Sequence, residues 1–145
     1  MSFIEESLYK DIIRSIPIIC VDLIIKIDDK FLLIKRTEQP LKDEWWVPGG
    51  RVNLFETLGD AAKRKLKEEL SLSLDKYSKI SLVAIYEDFF DSSSFGNHRY
   101  HTVAHVYEIE LEKLEGLVLD KTHKNWALKK ELPTRLLDKM RKIYA

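Results

Sequence analysis

The residues best suited to chemistry lie close together, in the stretch Trp45-Trp46-Val47-Pro48-Gly49-Gly50-Arg51-Val52 and onward through Glu56 and Arg64 to Glu68-Glu69-Leu70. Two adjacent glycines let a backbone turn sharply and approach a ligand closely. Behind them, Arg64 with Glu68 and Lys65 with Glu69 are each spaced by one helical turn. Charged pairs of that kind are usually solvated salt bridges worth little. Here, however, the Gly-Gly turn and Glu56 stand just before the helix, so a folded-back loop can gather a backbone carbonyl and carboxylates around one hard cation. Magnesium prefers such oxygen ligands and keeps waters that substrate phosphates can share.

A helix must hold those side chains. Thr57 followed three residues later by Asp60 predicts a capping box, and Leu58, Ala62, Leu66 and Leu70 then form one apolar stripe. Upstream, residues 2–15 read as a short amphipathic helix that Pro17 ends. Residues 18–25 are β-branched and nearly all apolar, which predicts a strand buried on both faces, with Asp28-Asp29 turning into a second strand over 30–35. Asp22 is the odd residue there, because a buried carboxylate needs a partner. It either accepts structural hydrogen bonds or faces a site, and the sequence leaves both open.

Residues 37–44, with Pro40, form a loop that leads to the paired tryptophans, which read as core and loop anchors more readily than as a base-stacking platform. Strands over 80–90 and 99–111 are expected to pair as a hairpin around the polar loop 91–97. His98, His101 and His105 fall in this region, and the spacing of the latter two suits a helix rather than a strand, so they read as surface or core residues and not as a metal clasp. Residues 120–124 form a polar loop carrying His123, followed by a short strand and by Pro133 at the first turn of a final helix to Tyr144. The order predicts an α+β fold, a layered sandwich with a mixed sheet.

At 145 residues the chain is expected to be one domain over 1–145 with a sizeable core. Its 24 Lys and Arg balance 24 Asp and Glu, so no net field draws it to nucleic acid or to an anionic membrane, and a phosphate site must use local cations. Cys20 is the single cysteine, which suits a reducing cytosol and a cytoplasmic protein. No stretch is long and apolar enough to span a bilayer, and the N-terminus is not signal-like.

The stretch from Gly50 to Leu72 resembles the Nudix box, G-x5-E-x7-R-E-U-x-E-E-x-G-U with U a bulky apolar residue. Gly50, Glu56, Arg64, Leu66, Glu68, Glu69 and Leu72 match, while Lys65 replaces the first helix glutamate and Ser71 the last glycine. The resemblance implies the Nudix α/β/α sandwich. It extends to Phe31-Leu32-Leu33-Ile34-Lys35-Arg36-Thr37, to Trp46 through Val52 and to the placing of His101 and His123, all of which look like the GDP-mannose mannosyl hydrolase branch. The chain can be laid beside that branch without a gap from Phe31 to about Leu128.

Ordinary Nudix enzymes direct water to phosphorus; this branch directs it to the anomeric carbon and releases GDP with inversion at the sugar. What the resemblance implies is therefore a hydrolase of a nucleotide sugar, with one Mg2+ ion, or Mn2+ in its place, held by Gly49 through its carbonyl and by Glu69, with Glu68 as a further candidate. Arg36 and Arg51 match cations near the diphosphate, Arg64 matches either such a cation or a structural partner of Glu56 and Glu68, and His123 matches the general base. The branch's habit also implies a homodimer. Departures from its pattern are Thr122 where it has a glutamine ligand, Glu87 where it has a histidine, Thr102 where it has a tyrosine, and Glu68 where it has a small residue. Glu68-Glu69 and Thr122 suit the alternative of a conventional pyrophosphatase. Lys65 and Ser71 suit a nucleotide-binding module without turnover.

Overall fold

A computed structural model of the chain describes residues 3–119 and 123–144, with the side chains of 123, 124 and 142–144 outside the described set. Ten elements follow in order: α1 (Glu6–Ser15), β1 (Ile18–Ile27), β2 (Lys30–Arg36), β3 (Trp45–Trp46), β4 (Gly49–Arg51), α2 (Leu58–Leu70), β5 (Lys79–Phe90), β6 (Tyr100–Glu110), β7 (His123–Lys129) and α3 (Thr134–Tyr144). The α+β fold with a mixed sheet and three helices is the expected one.

The strand β1 is the spine. Along nearly its whole length it pairs in parallel with β6, from Ile18 opposite Thr102 to Lys26 opposite Glu110. Its other edge is shared, with β2 pairing at Lys26 and Ile27 and β4 at Cys20, Val21 and Asp22, both antiparallel. The predicted hairpin is present as β5 antiparallel to β6, with a bulge between Leu82 and Ala84. Strand β2 pairs with β3 on one edge and β7 on the other.

Alternation along the strands sorts side chains onto two faces. Leu23, Ile25, Ile27, Leu32 and Ile34 pack with Ala62, Leu66 and Leu70 of α2, whereas Ile24, Leu33, Trp46, Val106 and Tyr86 pack with Leu136 of α3. Sheet and helices thus make three layers. Burial of β1 on both faces explains its near-continuous apolar sequence. Helix α1 lies at one end, where Ile13 packs with Ile18 and Cys20 and, more loosely, with Phe95 and Tyr100.

Two boundaries differ from expectation. Helix α1 begins later than expected, at Glu6, with Glu5 as its N-cap, and it ends where Ile16 turns extended ahead of Pro17. His123, expected in a polar loop, already lies in β7, its backbone opposite Arg36 across a bulge. Among the described residues, no helix is long and apolar enough to cross a membrane.

Candidate active site

The double glycine owes its place to β1. A methyl group on Gly49 would stand 2.3 Å from the carbonyl oxygen of Val21 and 2.6 Å from Asp22 Oδ1, so only a hydrogen fits between the two strands. Leu23 N donates to Pro48 O at 2.8 Å and Val52 N to Ile19 O at 2.9 Å, which fastens both ends of this close pairing. At Gly50 the obstacle is different. A methyl group there would meet Lys65 Cε at 2.6 Å, because the lysine side chain lies against the bend.

Helix α2 delivers its functional face by a second stripe. Thr57 Oγ1 accepts from Asp60 N at 3.1 Å, capping the helix as predicted, and the chain leaves it through Ser71 in a left-handed conformation, φ 57°, where the Nudix pattern has glycine. Beside the apolar stripe that reaches the core, Ala61, Lys65 and Glu69 form another buried row toward β4. Glu69 Oε2 accepts the Gly49 N–H at 3.0 Å, and Glu69 Oε1 lies 3.2 Å from Lys65 Nζ. The same ammonium is 3.5 Å from Glu68 Oε2.

Arg64 is a tether. Its Nε and Nη2 donate to the two oxygens of Glu56 at 2.7 and 2.9 Å, Nη1 donates to Glu68 at 3.0 Å, and Nη2 also donates to the Arg51 carbonyl at 2.9 Å. Glu56 Oε1 in turn accepts the Asn53 N–H at 3.1 Å. The loop between β4 and α2 is thereby pinned at both ends by one guanidinium, which favours the structural role for Arg64. That bidentate pairing holds the Glu56 carboxyl below the usual carboxylate range.

Gly49, Gly50, Arg51 and Glu69 form one wall of a cavity of about 230 Å³, and Arg36, Asp22, Trp46, Tyr86, Thr102 and Tyr100 are among the residues that complete it. Arg36 is oriented by its Nε, which donates to the Pro40 carbonyl at 2.7 Å. The Arg51 guanidinium lies 5.4 Å above the Tyr9 ring, so α1 reaches over the site. Of the six expected site residues, Gly49, Glu69, Arg36 and Arg51 line this cavity, and Glu68 is joined to Glu69 through the Lys65 ammonium. The sixth, His123, has its backbone opposite Arg36, with its side chain outside the described residues; Thr122 lies outside them altogether.

Asp22 faces this site, one of the two readings the sequence left open. It also accepts a hydrogen bond from the Tyr86 hydroxyl. Burial pushes its carboxyl up to about 6, with Glu69 and Asp88 adding to the rise and Tyr86 and Arg36 opposing it. Asp88 itself, 1% exposed, is held by Arg135 and by Lys139 at 3.4 Å, which ties α3 to β5. Tyr9, Tyr86 and Tyr100 were not singled out in the sequence. Their alternation within strands and helix reports burial and says nothing of which cavity they line.

A buried carboxyl with a raised pKa gives a pH signature. Relative to the unfolded chain, Asp22 favours the fold below about pH 4, and this contribution is lost as the pH climbs through about 6. At pH 8 the ionised group then costs the fold on the order of 3 kcal/mol. Asp22→Asn, measured by urea unfolding, is expected to be more stable than the parent chain at pH 8, with the difference shrinking toward pH 4. An equal difference at both pH values would show that Asp22 ionises freely.

The remaining histidines are dispersed. His105 Nδ1 is 3.3 Å from the Cys20 carbonyl, His98 Nε2 is 3.2 Å from Ser93 Oγ, and His101 stacks on Phe89 at 4.4 Å, near Glu87.

Comparison with known proteins agrees with this arrangement. Residues 18–145 match the NUDIX domain family. The chain is 33% identical over 121 residues to the low-salt glycan biosynthesis protein Agl8 of Haloferax volcanii, covering 83% of this chain and 75% of that protein. It is 37% identical over 95 residues to an ADP-ribose pyrophosphatase of Methanocaldococcus jannaschii, covering 66% of this chain and 52% of that one, so it spans about half of that relative's length. The fold is similar to a MutT NUDIX hydrolase from Burkholderia pseudomallei, with a TM-score of 0.71 at 21% identity over 89% of this chain and 99% of that one. It is also similar to the NUDIX domain of Shewanella oneidensis NrtR, solved with ADP ribose, with a TM-score of 0.66 at 16% identity over 98% and 100% of the two chains. With a glycine bend locked to β1, a box helix turned toward it and a family match over nearly the whole chain, this protein belongs to the NUDIX domain family and is a Nudix hydrolase.

Proposed function

We propose that the chain hydrolyses a nucleotide sugar, GDP-mannose in the first instance, to GDP and mannose, by attack of water at the anomeric carbon. The observation that carries this reading is the concentration of cations around the glycine bend. Arg36 and Arg51 line the cavity, and the Lys65 ammonium stands where the box usually supplies another carboxylate. Such a site suits the neutralisation of charge growing on a departing diphosphate. The name of the Haloferax relative, a glycan biosynthesis protein, supports a sugar-bearing substrate.

Nudix hydrolases typically use a divalent cation. Gly49, Glu68 and Glu69, the residues expected to hold Mg2+ or Mn2+, do not fit one as they are arranged here. The Lys65 ammonium lies 3.2 Å from Glu69 Oε1 and 3.5 Å from Glu68 Oε2, so the place of a cation between the two carboxylates is already taken. The reaction is therefore written on the chain's own side chains. Arg36 and Arg51 bind the diphosphate, forked guanidinium groups being matched to phosphate oxygens. Water forms the new bond to the anomeric carbon as the bond from that carbon to the phosphate oxygen breaks. The electron pair stays with GDP, and the water proton passes to His123, whose ordinary pKa is near neutrality. Action in the cytosol as a homodimer completes the proposal.

Separation of the products formed from GDP-mannose tests it. GDP with free mannose is the expected pair, whereas GMP with mannose 1-phosphate establishes the second reading, a pyrophosphatase. That reading has its own support in the retained Glu68-Glu69 pair and in the name of the Methanocaldococcus relative. His123→Gln is expected to lower kcat by ~100-fold or more with little change in nucleotide affinity. Unchanged turnover would remove His123 from the mechanism.

A further inference from the structure

We propose that the ammonium of Lys65 takes the place of a divalent cation at the Glu68–Glu69 pair, so that this protein stabilises its diphosphate without an ion at that position. The lysine sits in the middle of the buried row of α2, 9% exposed, between Ala61 and Glu69, which is 5% exposed. A lysine is buried to that degree only when paired. Its partners are the two box glutamates, at 3.2 Å and 3.5 Å.

The bend is fitted to this lysine. At Gly50 the lysine lies so close that its Cε, Nζ and Cδ would stand 2.6, 3.0 and 3.1 Å from an added Cβ, so a side chain there would push Lys65 out of its present position. Glu69 is held from the other side by the Gly49 amide, and Glu68 is shared with Arg64 at 3.0 Å. A divalent ion entering between the two glutamates would have to expel the ammonium, and while the ammonium stayed its charge would repel the ion. The charge of the pair is thus largely offset from within the chain, by Lys65 on both carboxylates and by Arg64 on Glu68. The proposal rests on this cavity being the Nudix site, but it can fail while the assigned reaction stands, because its test uses no substrate.

The test is Mn2+ uptake by the full chain, read from the loss of the free-ion electron paramagnetic resonance signal. The parent protein is expected to leave the signal intact at ~0.1 mM Mn2+, a concentration at which a built carboxylate site would fill. Lys65→Met, which keeps the stem and removes the charge, is expected to tighten uptake by ~10-fold or more. Adding Glu69→Gln to Lys65→Met should abolish that gain. Lys65→Glu gives a second variant, expected to tighten uptake further, should the methionine variant fail to show a native circular dichroism spectrum. The proposal is overturned if the parent chain itself takes up one Mn2+ and Glu69→Gln removes it, or if folded Lys65 variants bind no more tightly than the parent.

Discussion

Gly49→Ala is expected to destabilise the fold by about 3 kcal/mol or more, or to prevent folding, which urea unfolding would measure. The added methyl meets backbone on a central strand. It would lie 2.3 Å from the Val21 carbonyl oxygen and 3.1 Å from Asp22 Cα, and Val21 is fully buried. The strand pair cannot part to make room, because Pro48 O and Ile19 O hold it on either side of the contact. Moving β4 outward would also withdraw the Gly49 N–H from Glu69, so activity should fall even in molecules that fold. Gly59→Ala is the control, since nothing lies within 4 Å of a methyl there and the residue is in the first turn of α2. It is expected to stabilise by roughly 0.5–1 kcal/mol, the usual gain of alanine over glycine in a helix. Equal effects at the two glycines would contradict the close pairing of β4 with β1.

Arg64→Ala should cost about 2 kcal/mol, between the scale of an exposed ion pair and that of a buried one, because Arg64 and Glu56 are half-buried. Its loss takes two donors from the Glu56 carboxylate, one from the Arg51 carbonyl and one cation from Glu68. Arg64→Lys is expected to recover less than half, because an ammonium cannot reproduce the fork that meets both oxygens of Glu56. The turn between Asn53 and Glu56 depends on the same carboxylate, so the loop behind Arg51 should loosen and nucleotide affinity should fall with stability. A variant that unfolded at the parent's urea midpoint, with affinity intact, would make Arg64 a surface residue in energetic terms.

The parts of this architecture that were legible in the sequence are those governed by local rules. The box helix could be read from Thr57, from the stripe Ala62, Leu66 and Leu70 and from the pairs Arg64–Glu68 and Lys65–Glu69, all of which form as spaced. The hairpin of β5 and β6 followed from alternation around a polar loop. Other features depend on partners distant in the chain. Nothing in residues 18–25 says that β1 pairs in parallel with β6, and β3 and β4 are too short, at two and three residues, to show any periodicity. Asp22 stayed ambiguous because its environment is made by Tyr86, Arg36 and Glu69 from three other elements. Lys65 reads as one end of an exposed pair. It is buried because α2 turns two adjacent rows inward, one to the core and one to β4, and only the first is apolar.

Tyr9 shows the same limit from another side. An amphipathic pattern places it on α1, yet its position over Arg51 is set by how that helix docks against β1 and the loop carrying Phe95. Residues of the site therefore divide by origin. Those within the box come with spacing that can be read, and those that close the cavity come from helix and strands whose approach is a tertiary event.

In the proposed reaction water attacks carbon and not phosphorus. Hydrolysis of GDP-mannose in 18O-labelled water, followed by mass spectrometry of both products, tests it most directly. The label is expected in free mannose, with GDP unlabelled. Label in GMP or in mannose 1-phosphate, with none in free sugar, would contradict it.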